Sequence, residues 1–84
     1  MHIAFIGGGN MAAALIGGLL RAGRTNSELS VVEVDPRRCE HLRHEFGIAA
    51  TVRPDESLRQ AGAVVLAVKP QQMREACESV RPHL

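Results

Sequence analysis

Ile6-Gly7-Gly8-Gly9-Asn10-Met11-Ala12 joins two stretches of different period. His2 to Ile6, before it, is a compact apolar run, the mark of a buried strand. Asn10 to Ala22, after it, has a helical period: Met11, Leu15, Leu19 and Ala22 fall on one face at spacings of four, four and three. Gly23 stands at the C′ position where such a helix ends. The glycines between strand and helix match G-x-G-x-x-A through Gly7, Gly9 and Ala12. Gly7 permits the tight turn out of the strand. Gly9 removes a side chain where the backbone would approach a pyrophosphate, and Ala12 is small enough for close helix–strand packing. The free N–H groups at the helix start, with the helix dipole, attract phosphate oxygens. The strand before, the helix after and the β-α-β unit around the motif favour this reading over a merely tight turn. No Gly-Lys-Ser/Thr follows, which excludes a P-loop.

Outward from the turn the alternation continues. Leu29 to Val34 is Val-rich and reads as a second strand. Asp35-Pro36 then looks like an N-cap with proline at the first helical position. Cys39, Leu42 and Phe46 mark the buried face of that helix, and Gly47 closes it. Ile48 to Val52 is a short third strand, Asp55 to Ala61 a brief helix stopped by Gly62, and Ala63 to Val68 the most apolar strand. Pro70 opens a last helix, with Met73, Ala76, Cys77 and Val80 at helical spacing, Met73 and Cys77 being read as core rather than redox groups. The order β-α-β-α-β-α-β-α implies an α/β fold: a partial Rossmann-like, doubly wound parallel sheet of strand order 3-2-1-4, covered by helices on both faces.

Composition narrows the function classes. The chain has 84 residues, 45% apolar and 23% charged, enough for one domain with one modest core. Ten Lys+Arg against nine Asp+Glu give a formal net charge of +1. That balance provides no polybasic field for nucleic acid. Phe5 and Phe46 are the only aromatics, too few for a base-stacking surface. Cys39 and Cys77 form no CxxC and fit a reducing cytoplasm rather than a disulfide scaffold. The N-terminus lacks the basic and long apolar regions of a signal peptide, and Ala63 to Val68 is far too short to span a bilayer. His2, His41, His44 and His83 show no metal-ligand spacing with the cysteines, so no metal site is expected.

Two stretches bear on a dinucleotide. Asp35 lies 23 residues beyond Ala12, near where an acidic residue at the end of the second strand meets an adenosine ribose. A carboxylate there accepts from the 2′-hydroxyl and favours NAD; the same oxygens can equally serve as a plain N-cap before Pro36. Arg37 and Arg38 follow, and a guanidinium there can clamp a 2′-phosphate. Arginine in a first helical turn opposes the helix dipole, and that conflict inclines the choice between NAD and NADP towards NADP. The second stretch is Val64-Val65-Leu66-Ala67-Val68-Lys69-Pro70-Gln71. In the expected order, strands one and four flank the topological switch point, so the end of strand four faces the cofactor crevice. Pro70 holds the backbone of Ala67 to Lys69 at that edge. Lys69 is read as a backbone contact with its ammonium in water, not as a catalytic group.

Together, Ile6-Gly7-Gly8-Gly9-Asn10-Met11-Ala12 and Leu66-Ala67-Val68-Lys69-Pro70-Gln71 resemble the cofactor domain of the pyrroline-5-carboxylate reductases, and the resemblance covers essentially the whole chain. It implies an NAD(P)H-dependent oxidoreductase of proline biosynthesis, reducing the C=N bond of 1-pyrroline-5-carboxylate to L-proline. It implies cofactor contacts from Gly7, Gly8, Gly9, Asn10 and Met11 to the pyrophosphate, from Asp35, Pro36 and Arg37 to the adenosine end, and from Ala67, Val68, Lys69 and Pro70 to the nicotinamide side. Two positions depart from the family pattern. Arg53-Pro54-Asp55 stands where members often carry asparagine, and Asp35 replaces the small polar residue of many NADPH-preferring members. The glycine motif alone also fits the 3-hydroxyacid dehydrogenases, and a non-catalytic dinucleotide-binding module is a further alternative.

The resemblance also gives the length a meaning. Residues 1–84 are expected to be an N-terminal dinucleotide-binding segment without the family's helical C-terminal domain, which carries dimerisation and much of the substrate site. The catalytic and substrate residues are then expected outside this chain. Strand four is expected to present an unpartnered apolar edge, giving marginal stability or pairing with a second chain through Val64 to Val68. The full-length family is homo-oligomeric.

Overall fold

The computed structural model describes residues 1–84. Its elements are β1 (Ile3–Ile6), α1 (Asn10–Arg21), β2 (Leu29–Val32), α2 (Pro36–Phe46), β3 (Ala49–Thr51), β4 (Ala63–Leu66) and α3 (Met73–Val80). Short 3-10 turns occupy Asn26–Glu28, Glu56–Gln60, Pro70–Gln72 and Arg81–His83. The four strands form one parallel sheet in the expected order, β3-β2-β1-β4. Ile3 pairs with Leu29 on one side and Ala63 on the other, so β1 is hydrogen-bonded along both edges.

All four residues of β1 are buried. Because a strand alternates faces, Ile3 and Phe5 join one apolar cluster while Ala4 and Ile6 join another. The first cluster lies under α1 and α2 and gathers Ala12, Ile16, Leu29, Val31, Cys39 and Leu42. The second lies under the Glu56–Gln60 turn and α3, with Leu58 and Val80. β4, at the sheet edge, is only half-buried throughout.

Several boundaries follow from caps. Asp35 accepts a hydrogen bond from the Arg37 N–H at 3.0 Å, and Pro36 stands in the first turn, so α2 starts where the sequence placed it. Gly47 ends it in a left-handed conformation at φ 67°. Asp55 accepts from the Ser57 backbone N–H at 2.9 Å and starts the next turn.

Four expectations need correction. The apolar stripe of α1 traced through Met11 and Leu15 is not the buried one: Met11 is 56% and Leu15 44% exposed. The buried row is Ala12, Ile16 and Gly17, with Leu19 and Leu20 half-buried, so the face that α1 turns to the core runs one residue on from the Met11–Leu15 stripe. The element after β3 is a five-residue 3-10 turn rather than an α-helix, since Gly62 and β4 follow too soon for a second turn. The last helix opens with a separate 3-10 turn at Pro70–Gln72 before α3. Cys77, expected in the core, is exposed: Ala76 and Val80 carry the inward face of α3.

Candidate functional site

The turn after β1 is built by contacts with both neighbouring strands. The Gly7 N–H donates to the Val32 carbonyl at 2.8 Å, and the Ala67 N–H donates to the Ile6 carbonyl at 2.8 Å. Gly7 has φ 99°, and a Cβ placed on it would lie 2.5 Å from the Ala67 carbonyl oxygen and 2.9 Å from Val68 Cγ1. The fold itself therefore demands glycine there, and the turns leaving β1 and β4 touch through their backbones. A Cβ on Gly8 would meet Leu42 Cδ1 at 2.7 Å, so Gly8 is pressed against α2.

Gly9 differs in kind. It is the N-cap of α1 with ordinary extended dihedrals, φ −77° and ψ −165°, and no side chain caps the helix. A Cβ on Gly9 would meet nothing within 4 Å. Neither backbone conformation nor packing within the chain requires glycine at this position. The first turn of α1 holds no acidic residue. Ala13 is the first residue whose N–H returns to the helix, donating to the Gly9 carbonyl, so the preceding N–H groups of Asn10, Met11 and Ala12 have no intrahelical acceptor. The arrangement is a helix N-terminus with open donors, approached over a bare α-carbon, and it suits an anion.

Glu33, which sequence reasoning passed over, stands beside this turn. Its Oε1 accepts the Gly8 N–H at 2.7 Å and its Oε2 accepts the Asp35 N–H at 2.9 Å. One carboxylate thus ties the glycine turn to the start of α2. The signal was in the spacing: Glu33 is 21 residues beyond Ala12, nearer the expected distance than Asp35. Asp35 itself serves as the N-cap, one of its two foreseen roles. Pro36 and Arg37 are exposed. Arg38 rather than Arg37 turns back to the motif, its Nη1 donating to the Gly8 carbonyl at 3.4 Å. Asp35, Arg37, Arg38 and His41 line an open groove of about 340 Å³ beside these contacts.

At the end of β4, Ala67 is buried, Val68 half-buried, and Lys69 and Pro70 exposed. Lys69 caps the Pro70–Gln72 turn through its carbonyl, which accepts from the Gln72 N–H at 2.8 Å, while its side chain makes no hydrogen bond within the chain. Cys39 is no reactive group. Burial pushes its thiol above the usual range, and Sγ donates to the Glu33 carbonyl at 3.1 Å. No group of three His, Cys, Asp or Glu residues is placed to hold a metal ion, and no helix is long and apolar enough to cross a membrane.

A parallel sheet of order 3-2-1-4, with its first strand ending in a glycine turn at a helix N-terminus, defines a Rossmann-like dinucleotide-binding domain. The chain belongs to the family described as NADP oxidoreductase, coenzyme F420-dependent, whose model matches residues 2–84. It is 39% identical over 83 residues to the pyrroline-5-carboxylate reductase of Pseudomonas aeruginosa, covering 99% of this chain and 30% of that enzyme. With the pyrroline-5-carboxylate reductase of Mycobacterium tuberculosis it shares 44% identity over 69 residues, 82% of this chain and 23% of that one. A solved pyrroline-5-carboxylate reductase from Coxiella burnetii superposes with a TM-score of 0.81 at 32% identity, over 96% of this chain and 30% of that one. The chain thus spans under a third of the length of these relatives. It corresponds to their N-terminal NAD(P)-binding domain.

Proposed function

We propose that these 84 residues are the cofactor-binding part of a pyrroline-5-carboxylate reductase, which reduces 1-pyrroline-5-carboxylate to L-proline with a nicotinamide dinucleotide. The observation that carries this reading is Gly9: a glycine that the chain's own packing does not need, at a helix N-terminus with open donors. A bound pyrophosphate supplies the missing reason. Gly7 to Met11 form its cradle, with the N–H groups of Asn10 and Met11 as donors. Asp35, Pro36 and Arg37, with the groove beside them, take the adenosine end. The backbone of Ala67, Val68, Lys69 and Pro70, held against Gly7, lines the nicotinamide side.

When bound, the dihydronicotinamide supplies the hydride. The chain's own residues bind and orient it. The groups that hold and protonate the imine belong to parts of the enzyme beyond residues 1–84, as do its principal assembly surfaces. This assignment is supported by the short span of the match on each relative. The reaction is that of a cytoplasmic biosynthetic enzyme, and the whole enzyme is a homo-oligomer. Within this chain the outer edge of β4 is the surface most open to pairing.

Isothermal titration of the folded chain with NADH and NADPH tests the reading. Binding of at least one is expected, weakened about tenfold or more in Gly9→Val with an unchanged far-UV circular dichroism spectrum. Failure of both dinucleotides to bind a folded sample at millimolar concentration overturns it.

A further inference from the structure

We infer that two copies of this chain pair edge to edge, β4 against β4 and antiparallel, about a two-fold axis at Val65; the pairing is independent of the dinucleotide site. The sheet has two edges, β3 and β4, and they are finished differently. β3 is three residues long, and its Thr51 carbonyl accepts the Glu33 N–H, so alternation turns Ala50 outward. The Ala50 carbonyl is taken by Arg43, whose Nε and Nη2 donate to it at 3.2 Å and 2.7 Å. A short strand with a guanidinium laid across it is a blunted edge. β4 has no such cover. The Ala63 and Ala67 N–H groups donate to the His2 and Ile6 carbonyls on the β1 side, so Val64 and Leu66 turn their N–H and carbonyl groups outward. No other group of the chain bonds them. No charged residue stands between Arg59 and Lys69 to keep a second strand away.

Area and symmetry name the occupant. The chain exposes 5493 Å², where a folded monomer of 9.1 kDa exposes about 4,900 Å². The surplus of about 600 Å² is most of the roughly 800 Å² that each partner buries in an interface of standard size. The β4 side contributes to it: β4 is half-buried throughout, while β1 beside it is buried throughout. On α1, Gly17 faces Phe46 of α2, and Leu15, 44% exposed, lies about 200° round the helix from it, on the flank turned towards β4. Around an axis at Val65, Val64 stands opposite the partner's Leu66 and Leu66 opposite the partner's Val64, each pair exchanging two hydrogen bonds. Val65 meets the partner's Val65 as a non-hydrogen-bonded pair. Lys69 then falls opposite the partner's Ala61, beyond the ladder. Parallel pairing in register would instead set the two Lys69 ammonium groups side by side, which is unfavourable. The strand therefore fits a second copy of itself in one direction. Antiparallel pairing also sends the two glycine turns to opposite ends of the joined sheet, so both stay open.

Sedimentation velocity of the chain at rising concentration tests this. A dimer is expected by about 100 μM. Val64→Pro removes an outward N–H without touching the β1 ladder, and is expected to weaken the dimer at least about tenfold with an unchanged far-UV circular dichroism spectrum. Oxidation in a Cys77→Ser background reads the register. Val65→Cys is expected to give a covalent dimer across the axis, and Val64→Cys, opposite the partner's Leu66, is not. A chain that stays monomeric to about 1 mM overturns the inference and leaves the edge to another partner. Species larger than a dimer overturn it too, because they need the β3 edge. So does a dimer that Val64→Pro leaves intact, or one in which Val65→Cys cross-links no better than Val64→Cys. Should Val64→Pro fail to fold, the Val65→Cys cross-link decides alone, and its absence overturns the inference.

Discussion

The two faces of the sheet are made by the same four strands and finished to very different degrees. On the α1/α2 face, eleven buried residues form one continuous cluster; on the α3 face only four are buried. The elements above them explain the difference. Two α-helices of 12 and 11 residues cover the first face, while a five-residue 3-10 turn and an eight-residue helix cover the second. The glycine turn and Glu33 are anchored to the well-filled face through Leu42 and Cys39. The fuller core thus lies under the glycine turn, and the other face is thin.

The largest test of that contrast uses one chemistry on both faces. Leu42→Ala is expected to cost about 4–5 kcal/mol and Leu58→Ala about 2–3 kcal/mol, since the loss at fixed chemistry grows with the cavity that the surroundings cannot close. Urea denaturation measures both, and an equal or larger loss at Leu58 breaks the contrast. A smaller effect separates two glycines of the turn. Gly7→Ala is expected to destabilise by about 1–3 kcal/mol, as it combines a left-handed φ with a clash on Ala67. Gly9→Ala is expected to leave the melting temperature nearly unchanged while weakening dinucleotide binding. A large stability loss at Gly9 would mean that the fold needs this glycine after all.

Thiol labelling sharpens the contrast without mutation. Exposed Cys77 on the thin face is expected to react with a disulfide reagent in the native state, and Cys39 only as the α1/α2 face opens. Equal rates would show that face to be loose. The smallest effect is in acid. The Asp55 carboxyl is held below the usual carboxylate range by the Ser57 hydroxyl and then the Ser57 N–H. A depressed folded value stabilises above the unfolded value of about 3.9, and that contribution is lost as pH falls through the folded value. Glu28 follows the same sign through its bonds from Thr25. Asp55→Asn is therefore expected to narrow slightly the fall in melting temperature between pH 5 and 2, and an unaltered acid limb argues against the cap.

Much of this was legible in the sequence because it rests on residues with a narrow set of uses. The glycine turn, the Asp35-Pro36 helix start and the alternation of strands and helices each follow from backbone chemistry, and the strand order is the one expected of this doubly wound sheet. The buried row of α1 was not legible. Met11 and Leu15 carry more apolar surface than Ala12, but the face turned to the core runs through Ala12 and Ile16, and apolar content on both sides of that one-residue shift leaves the period nearly the same. Glu33 was hidden by a strand end. A second strand running to Val34 makes Asp35 the first polar residue after it; β2 stops at Val32, and the carboxylate two positions before Asp35 takes the place beside the turn. Where a side chain goes depended on the last two residues of a strand, which periodicity resolves least.

The backbone contact between Gly7 and Ala67 has a consequence for how such a domain can be altered. Each turn is the other's wall, since Gly7 lies directly against the Ala67 carbonyl and the Val68 side chain. A loop transplanted from a relative at one site is therefore expected to fit only when its partner loop travels with it.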